Sequence, residues 1–295
     1  MGEHAVVYRK PAILAAVDKR LYVTVQTQEP TSQEGKTGEK FVSMKHARKT
    51  DRYLNHVAGL VENTYKKKIP PCFLTISSSI PHGCGMGSSA AFASAVIGSL
   101  VTLLGIPWSA QKINEITYQA ERFMHGDPSG GDNTTVCFGG LLWYRREFDF
   151  LKTFWSLPVK FPKSFAPFIG IHTGKPVEST KEMIRNVKAQ ISNAKRERIF
   201  NAVEIETKKF LQAVHDENES DMRKAIAVSE NLLEQMGVVS ESAQKLIRAI
   251  EDRRGVAKIS GAGGDKDGSG IVLAQHDSVQ VLQDCASAYG FDTFS

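Results

Sequence analysis

The chain has 295 residues, 41% of them hydrophobic and 23% charged, with a net charge of +5 and a pI near 8.9. That balance excludes long disorder, and at roughly 150 residues per domain the length predicts two packed domains. A small positive surplus favours nucleic acid, a membrane surface and an anionic small molecule alike, so charge alone selects none of them.

In chain order, the β-branched stretches AVVY and LYVTVQT, on either side of a turn at Pro11, predict paired strands over residues 5–28. Residues 29–40, EPTSQEGKTGEK, read as loop, and a helical stretch over about 45–65 follows. Strand FLTISSS at 73–79 opens into PHGCGMGSS, and the small, apolar run from Ser88 to Leu104 predicts a buried helix. Ser109 is placed to cap a second helix, with Ile113, Ile116, Ala120 and Phe123 on one stripe until Gly126 stops it. The loop HGDPSGGDNTT then leads into VCFGGLLWY, read as a strand that closes a first domain, 1–155.

The second domain, 156–295, begins with strand FAPFIGIHT at 165–173, and Ser179-Thr180-Lys181-Glu182 spells a capping box for a helix. Helical periodicity continues over about 197–216, 219–236 and 240–252, followed by strands VAKIS and GIVLA and a last helix over about 277–289. Strands grouped apart from a run of helices predict an α+β architecture. The basic runs Lys66-Lys67-Lys68 and Lys195-Arg196-Glu197-Arg198 lack interleaved aromatics and read as solvated helix faces, which argues against a nucleic-acid partner. Cys72, Cys84, Cys137 and Cys285 are scattered, no apolar run reaches a membrane span, and Met1-Gly2-Glu3-His4 is not a signal peptide. A cytoplasmic protein away from the membrane is therefore expected.

Three glycine segments carry the chemistry. PHGCGMGSSAA sets Gly83, Gly85 and Gly87 between a strand and a helix that starts at Ser88 and Ser89; glycine permits close backbone approach, and a helix N-terminus attracts phosphate. It lacks the Gly-Lys-Ser/Thr ending of a Walker loop. DPSGGDN brings Asp132 to a tight turn, where a carboxylate can orient a hydroxyl proton, and Glu121, eleven residues earlier, can share a cleft with the Ser89 hydroxyl and ligate Mg²⁺. KISGAGGDKDGSG joins two strands, for which a long hairpin is the plain structural reading.

In this order and spacing the three segments resemble the signature motifs of the GHMP kinases over the whole chain, and GEHAVVY with PSGGDN is most similar to the mevalonate kinases. The resemblance implies the GHMP fold, with a left-handed β-α-β unit in the N-terminal domain and a ferredoxin-like C-terminal domain. It makes Asp132 catalytic, Ser89 and Glu121 the metal ligands, and Gly83, Gly85, Met86, Gly87, Ser88 and Ser89 the phosphate loop. Glu3, His4, Thr180, Gly261, Ala262 and Gly263 fall on substrate positions. ATP with Mg²⁺ would then phosphorylate the primary hydroxyl of mevalonate; a phosphomevalonate, homoserine or sugar kinase and a silent nucleotide-binding homologue are the alternatives. A homodimer is compatible with the resemblance.

The resemblance further implies a strand of the form APGKxxLxGEH, whose lysine lies near the catalytic aspartate. This sequence opens directly at Gly2-Glu3-His4, and the expected explanation is a misplaced start or a trimmed chain. Asp265, Lys266 and Asp267 interrupt the third glycine run, and Arg9 stands where relatives often carry glycine, so the acceptor is less fixed by the motifs than the reaction.

Overall fold

The computed structural model describes residues 1–29 and 39–294, so most of the loop expected over 29–40 lies outside the described residues. The first departure from expectation is AVVY, which is a 3₁₀ turn, Ala5–Tyr8, flanked by His4 and Arg9 at φ 57° and 66°. Two residues in the left-handed region reverse the chain at both ends, and that overrides the strand preference of two valines. Strands β1 (Ala12–Ala15), β2 (Leu21–Gln26) and β3 (Glu39–Ser43) follow. The single helix expected near 45–65 is two, α1 (Met44–Thr50) and α2 (Arg52–Tyr65), because the Asp51 carboxylate accepts the Leu54 N–H at 2.9 Å and starts a new helix.

Next come β4 (Phe73–Ser78), α3 (Ser88–Leu103) and α4 (Ala110–His125), the last capped by the Ser109 hydroxyl as its sequence predicts. VCF, read as strand, instead ends a short helix α5 (Gly131–Phe138), and the strand β5 starts only at Leu141, running to Arg146. Three apolar residues cannot distinguish the two states locally. The chain continues through β6 (Lys152–Ser156), β7 (Phe168–His172), α6 (Thr180–Gln190), α7 (Asn193–His215), α8 (Glu219–Gln235) and α9 (Glu241–Glu251). It finishes with β8 (Val256–Ser260), β9 (Ile271–Gln275), α10 (Val279–Ala288) and β10 (Asp292–Phe294). Ser179 and Glu182 form the predicted capping box on α6. Lys66, Lys67 and Lys68 are exposed as expected, but they follow the end of α2 instead of lying on a helix face, with Lys68 3.6 Å from Glu62 and Lys67 donating to the Leu104 carbonyl.

Two compact units form, each discontinuous in sequence. The first comprises Ala16–His82 and Gly87–Gly140, and the second comprises Met1–Ala15, Gly83–Met86 and everything from Leu141 onward. This division differs from a cut at residue 155, because β5 pairs antiparallel with both β1 and β6, so the sheet β1-β5-β6 draws residues 12–15 and 141–156 together. Ile13 of β1 shares a core with Phe210, Val214, Ile226 and Val256, which fixes that sheet in the second unit.

In the first unit the antiparallel sheet β2-β4-β3 shares one core with α1, α2, α3 and α4 through Leu54, Val57, Leu74, Val96, Ile97, Leu100 and Ile116. Complete burial of side chains of this size, at about 1.5–3 kcal/mol each, holds the glycine-led start of α3 in place. The second unit contains the four-stranded sheet β10-β7-β9-β8. Counted along the chain from β7, its strands stand in the order 4-1-3-2, the ferredoxin-like arrangement that the resemblance implies, with four helices inserted between β7 and β8.

Candidate active site

Gly87 is the N-cap of α3 at φ 65°, a conformation that costs other residues about 1–2 kcal/mol. The space beside it is already filled: a methyl group added there would stand 3.3 Å from Asp132 Cβ and 3.5 Å from its carboxyl carbon. At the second residue of α3, the Ser89 hydroxyl donates to Glu121 Oε1 at 2.6 Å, and the Tyr53 hydroxyl donates to the same oxygen at 3.3 Å. Glu121 comes from α4 and is 4% exposed; its other oxygen faces His125 Nε2, one helical turn on, at 3.7 Å. Thus α2, α3, α4 and the first turn of α5 bring Tyr53, Ser89, Glu121, His125 and Asp132 into one unit.

Asp132 remains accessible to solvent as a residue, yet protein crowded around its carboxyl group strips hydration from the charged form. That crowding, reinforced by the Glu121 charge and opposed by His125, pushes its pKa up to about 6. Water at the exposed edge works against the shift, so its upward direction is the property that bears on chemistry. Burial also raises the Tyr53 phenol, which keeps its proton for Glu121.

The oxygens of Ser89 and Glu121 suit a small hard cation. Adjacent ligands of an octahedral Mg²⁺, each at about 2.0–2.1 Å, lie about 2.9 Å apart, close to the 2.6 Å observed here. Among the described residues no group of three or more His, Cys, Asp or Glu could hold a metal, and a cation on this pair would need water or phosphate for its other ligands.

Apart from Ser88, which starts α3, the remaining expected residues lie in the second unit. The segment 83–86 packs on the third glycine run: a Cβ on Gly85 would meet the Ser260 carbonyl at 2.8 Å, and one on Gly270 would meet that of Cys84 at 2.6 Å. Buried His4 has its Nε2 2.9 Å from the Ala262 carbonyl, so that nitrogen carries the proton, and burial lowers its pKa. Burial would raise the Glu3 carboxyl, but the Lys258 ammonium and the Met1 amino group overcome this and hold it at about 2. Thr180 opens α6 and is exposed.

The third run joins the antiparallel strands β8 and β9, yet it is more constrained than a hairpin. Gly264 bridges to Val239, and a methyl group at Gly263 would lie 2.0 Å from the Val238 carbonyl. A methyl group at Gly268 would lie 2.6 Å from both the Thr173 and the Gly174 carbonyls. Both stems are held by backbone, and Lys266 and Asp267 are exposed at the tip.

Residues 52–140 match the family model described as the GHMP kinases N terminal domain. The chain is 30% identical over 288 residues to a mevalonate kinase of Thermococcus sibiricus, covering 89% of this chain and 83% of that one. The chain belongs to the GHMP kinases and is most like the mevalonate kinases. The fold agrees: a mevalonate kinase structure from Methanococcus jannaschii superposes with a TM-score of 0.77 at 20% identity, over 99% of this chain and 93% of that one. A Streptococcus pneumoniae phosphomevalonate kinase scores 0.76 at 14% identity, over 99% and 94%, so the GHMP fold by itself does not choose the acceptor.

Sequence reasoning about this GHMP kinase missed several charged or polar neighbours. His125 was legible in principle, since it lies four residues after Glu121 on one helix face. Tyr53 gave no signal, because 68 residues separate it from Glu121. Lys175 lies over Gly83, its Cε 2.9 Å from where a Cβ would be, which brings an ammonium beside the glycine loop. Lys258 and Glu230 escaped notice inside apolar patterns.

Proposed function

We propose that this GHMP kinase transfers the γ-phosphate of ATP to the primary hydroxyl of mevalonate, giving 5-phosphomevalonate, with Asp132 as the residue that orients and accepts the hydroxyl proton. The observation that carries this reading is the Ser89–Glu121 contact of 2.6 Å at the start of α3, with Asp132 against Gly87. Similarity at 30% identity to a mevalonate kinase supports the choice of acceptor.

In this reading the backbone of Gly83, Gly85, Met86, Gly87 and Ser88 receives the phosphates, helped by the positive end of α3. Ser89 and Glu121 would hold Mg²⁺, which when bound neutralises phosphate charge. His125 and Tyr53 fix the Glu121 carboxylate through its two oxygens. Asp132, ionised above about pH 6, accepts hydrogen from the attacking hydroxyl, and its raised pKa makes it a better base at neutral pH. Glu3, His4, Thr180, Gly261, Ala262 and Gly263 take the rest of the acceptor. Rate then comes from alignment of the two oxygens with phosphorus and from charge neutralisation. The protein works in the cytoplasm; among the described residues no helix is long and apolar enough to cross a membrane.

ADP release from ATP and Mg²⁺ with mevalonate, phosphomevalonate, homoserine and galactose as acceptors tests the reading. Mevalonate is expected to give the highest kcat/KM, and a higher value for another acceptor overturns the assignment.

A further inference from the structure

Lys258 stands in the middle of β8, a strand whose first four residues are all buried, and is itself 4% exposed. Its neighbours Val256, Ala257 and Ile259 belong to apolar cores. An ammonium there loses its hydration, and replacing a buried ion pair with apolar residues is often neutral or stabilising, so fold stability does not account for a lysine at this position. What it holds does account for it. Its Nζ forms an ion pair with Glu3 and donates to the Ile259 carbonyl at 2.7 Å.

The neighbour of Glu3 is held as well. His4 sits at φ 57°, a conformation that non-glycine residues adopt reluctantly, and its ring is bonded to the Ala262 carbonyl, four residues beyond Lys258. Two consecutive side chains therefore dock one turn onto the single run 258–262, which contains Gly261 and leads into Gly263. Glu230 of α8 lies on the same run: it is fully buried, its Oε2 accepts the Ile259 N–H at 2.9 Å, and its Oε1 has no hydrogen-bond partner. The charge of Lys258 thus acts on two acids, Glu3 and Glu230.

We propose that Lys258 is a positioning residue for the acceptor: by holding Glu3, alongside the His4–Ala262 hydrogen bond, it fixes the Glu3-His4 turn on the third glycine segment. This rests on the reading above, in which Glu3, His4 and Gly261 to Gly263 take the acceptor. Lys258 does not touch substrate; it sets where two residues that do are placed.

Steady-state kinetics of the full chain test this with Lys258→Met, Lys258→Arg and the double variant Lys258→Met/Glu3→Gln. Lys258→Met is expected to raise the KM for mevalonate by at least tenfold, with the KM for ATP within twofold of wild type, and Lys258→Arg to recover most of the loss. The double variant removes both charges; it is expected to recover the melting temperature while the mevalonate KM stays raised. Should ATP and mevalonate KM rise in step, Lys258 is only structural and the inference fails. A wild-type protein inert toward mevalonate would sink the functional reading and this inference with it, whereas an active wild type with an unaltered Lys258→Met sinks the inference alone.

Discussion

Two groups of buried or crowded acids sit in the two units, and they are neutralised in opposite ways. Around Glu121 the contacts are a serine, a tyrosine and a histidine, and the nearby Asp132 is pushed up to about 6. Around Glu3 a resident lysine is in place, and the carboxyl is held at about 2. The first arrangement leaves carboxylates whose charge can still be used, by a cation or by a proton in transit; the second spends its charge on a fixed geometry. Burial alone does not set a carboxyl's state: Glu3, paired with Lys258, is held low, while Asp132, beside Glu121, is pushed up.

The largest test of that contrast is Asp132→Asn, which keeps shape and removes the proton acceptor. Turnover is expected to fall by about 10²–10⁴-fold with ATP affinity unchanged, measured by ADP release and by nucleotide titration. Wild-type kcat/KM is likewise expected to fall as pH drops through about 6, because protonated Asp132 cannot accept the hydroxyl hydrogen. A profile flat from pH 5 to 8 would remove Asp132 from this role.

On the lysine side the acid Glu230 provides a test by stability. Burial raises its pKa to about 7 from the 4.5 of an exposed glutamate, despite the opposing Lys258 charge. Below about pH 4.5 it is protonated folded and unfolded alike; as pH rises toward 7 the unfolded chain ionises first, and the folded state loses stability it does not regain above 7. Glu230→Gln is therefore expected to match wild type near pH 4.5 and to exceed it by on the order of 3 kcal/mol at pH 7 and above, read from urea unfolding at several pH values. Equal stability at both pH values would mean that burial does not raise the Glu230 carboxyl above its unfolded value.

Smaller effects sharpen the picture of the first group. Ser89→Ala removes one oxygen of the proposed metal pair and is expected to raise the Mg²⁺ concentration for half-maximal activity about tenfold, a shift of about 1.4 kcal/mol. Tyr53→Phe deletes one hydrogen bond to Glu121 and is expected to cost about 0.5–1.5 kcal/mol in thermal unfolding, with the pH profile unmoved. A Tyr53→Phe profile that shifted with Asp132 would show the two acids to be more tightly linked than their contacts indicate.

Much of this was legible in the sequence, where local rules and tertiary packing agree. Ser109 capping α4, the Ser179/Glu182 box and the small-residue helix α3 each follow from near-neighbour chemistry. The misreadings lie where distant contacts decide. AVVY is bent by its flanking left-handed residues, and VCF is too short to declare a period. For the site, glycine spacing pointed to Gly87, Ser89 and Asp132. The Glu3–Lys258 pair joins residues 255 apart, and a lysine within VAKIS looks like an ordinary outward-facing strand residue until the strand is known to be buried.

The clamped stems of the third glycine run bear on how such a loop can vary. Gly263 cannot gain even a methyl group, and Gly268 is enclosed by two carbonyls, whereas Lys266 and Asp267 between them reach solvent. Lengthening and recharging are thus confined to the crest, where new side chains can be tried without disturbing the anchors on either side. A charged Lys266-Asp267 crest on a clamped base can change what the loop presents while the backbone beneath stays put.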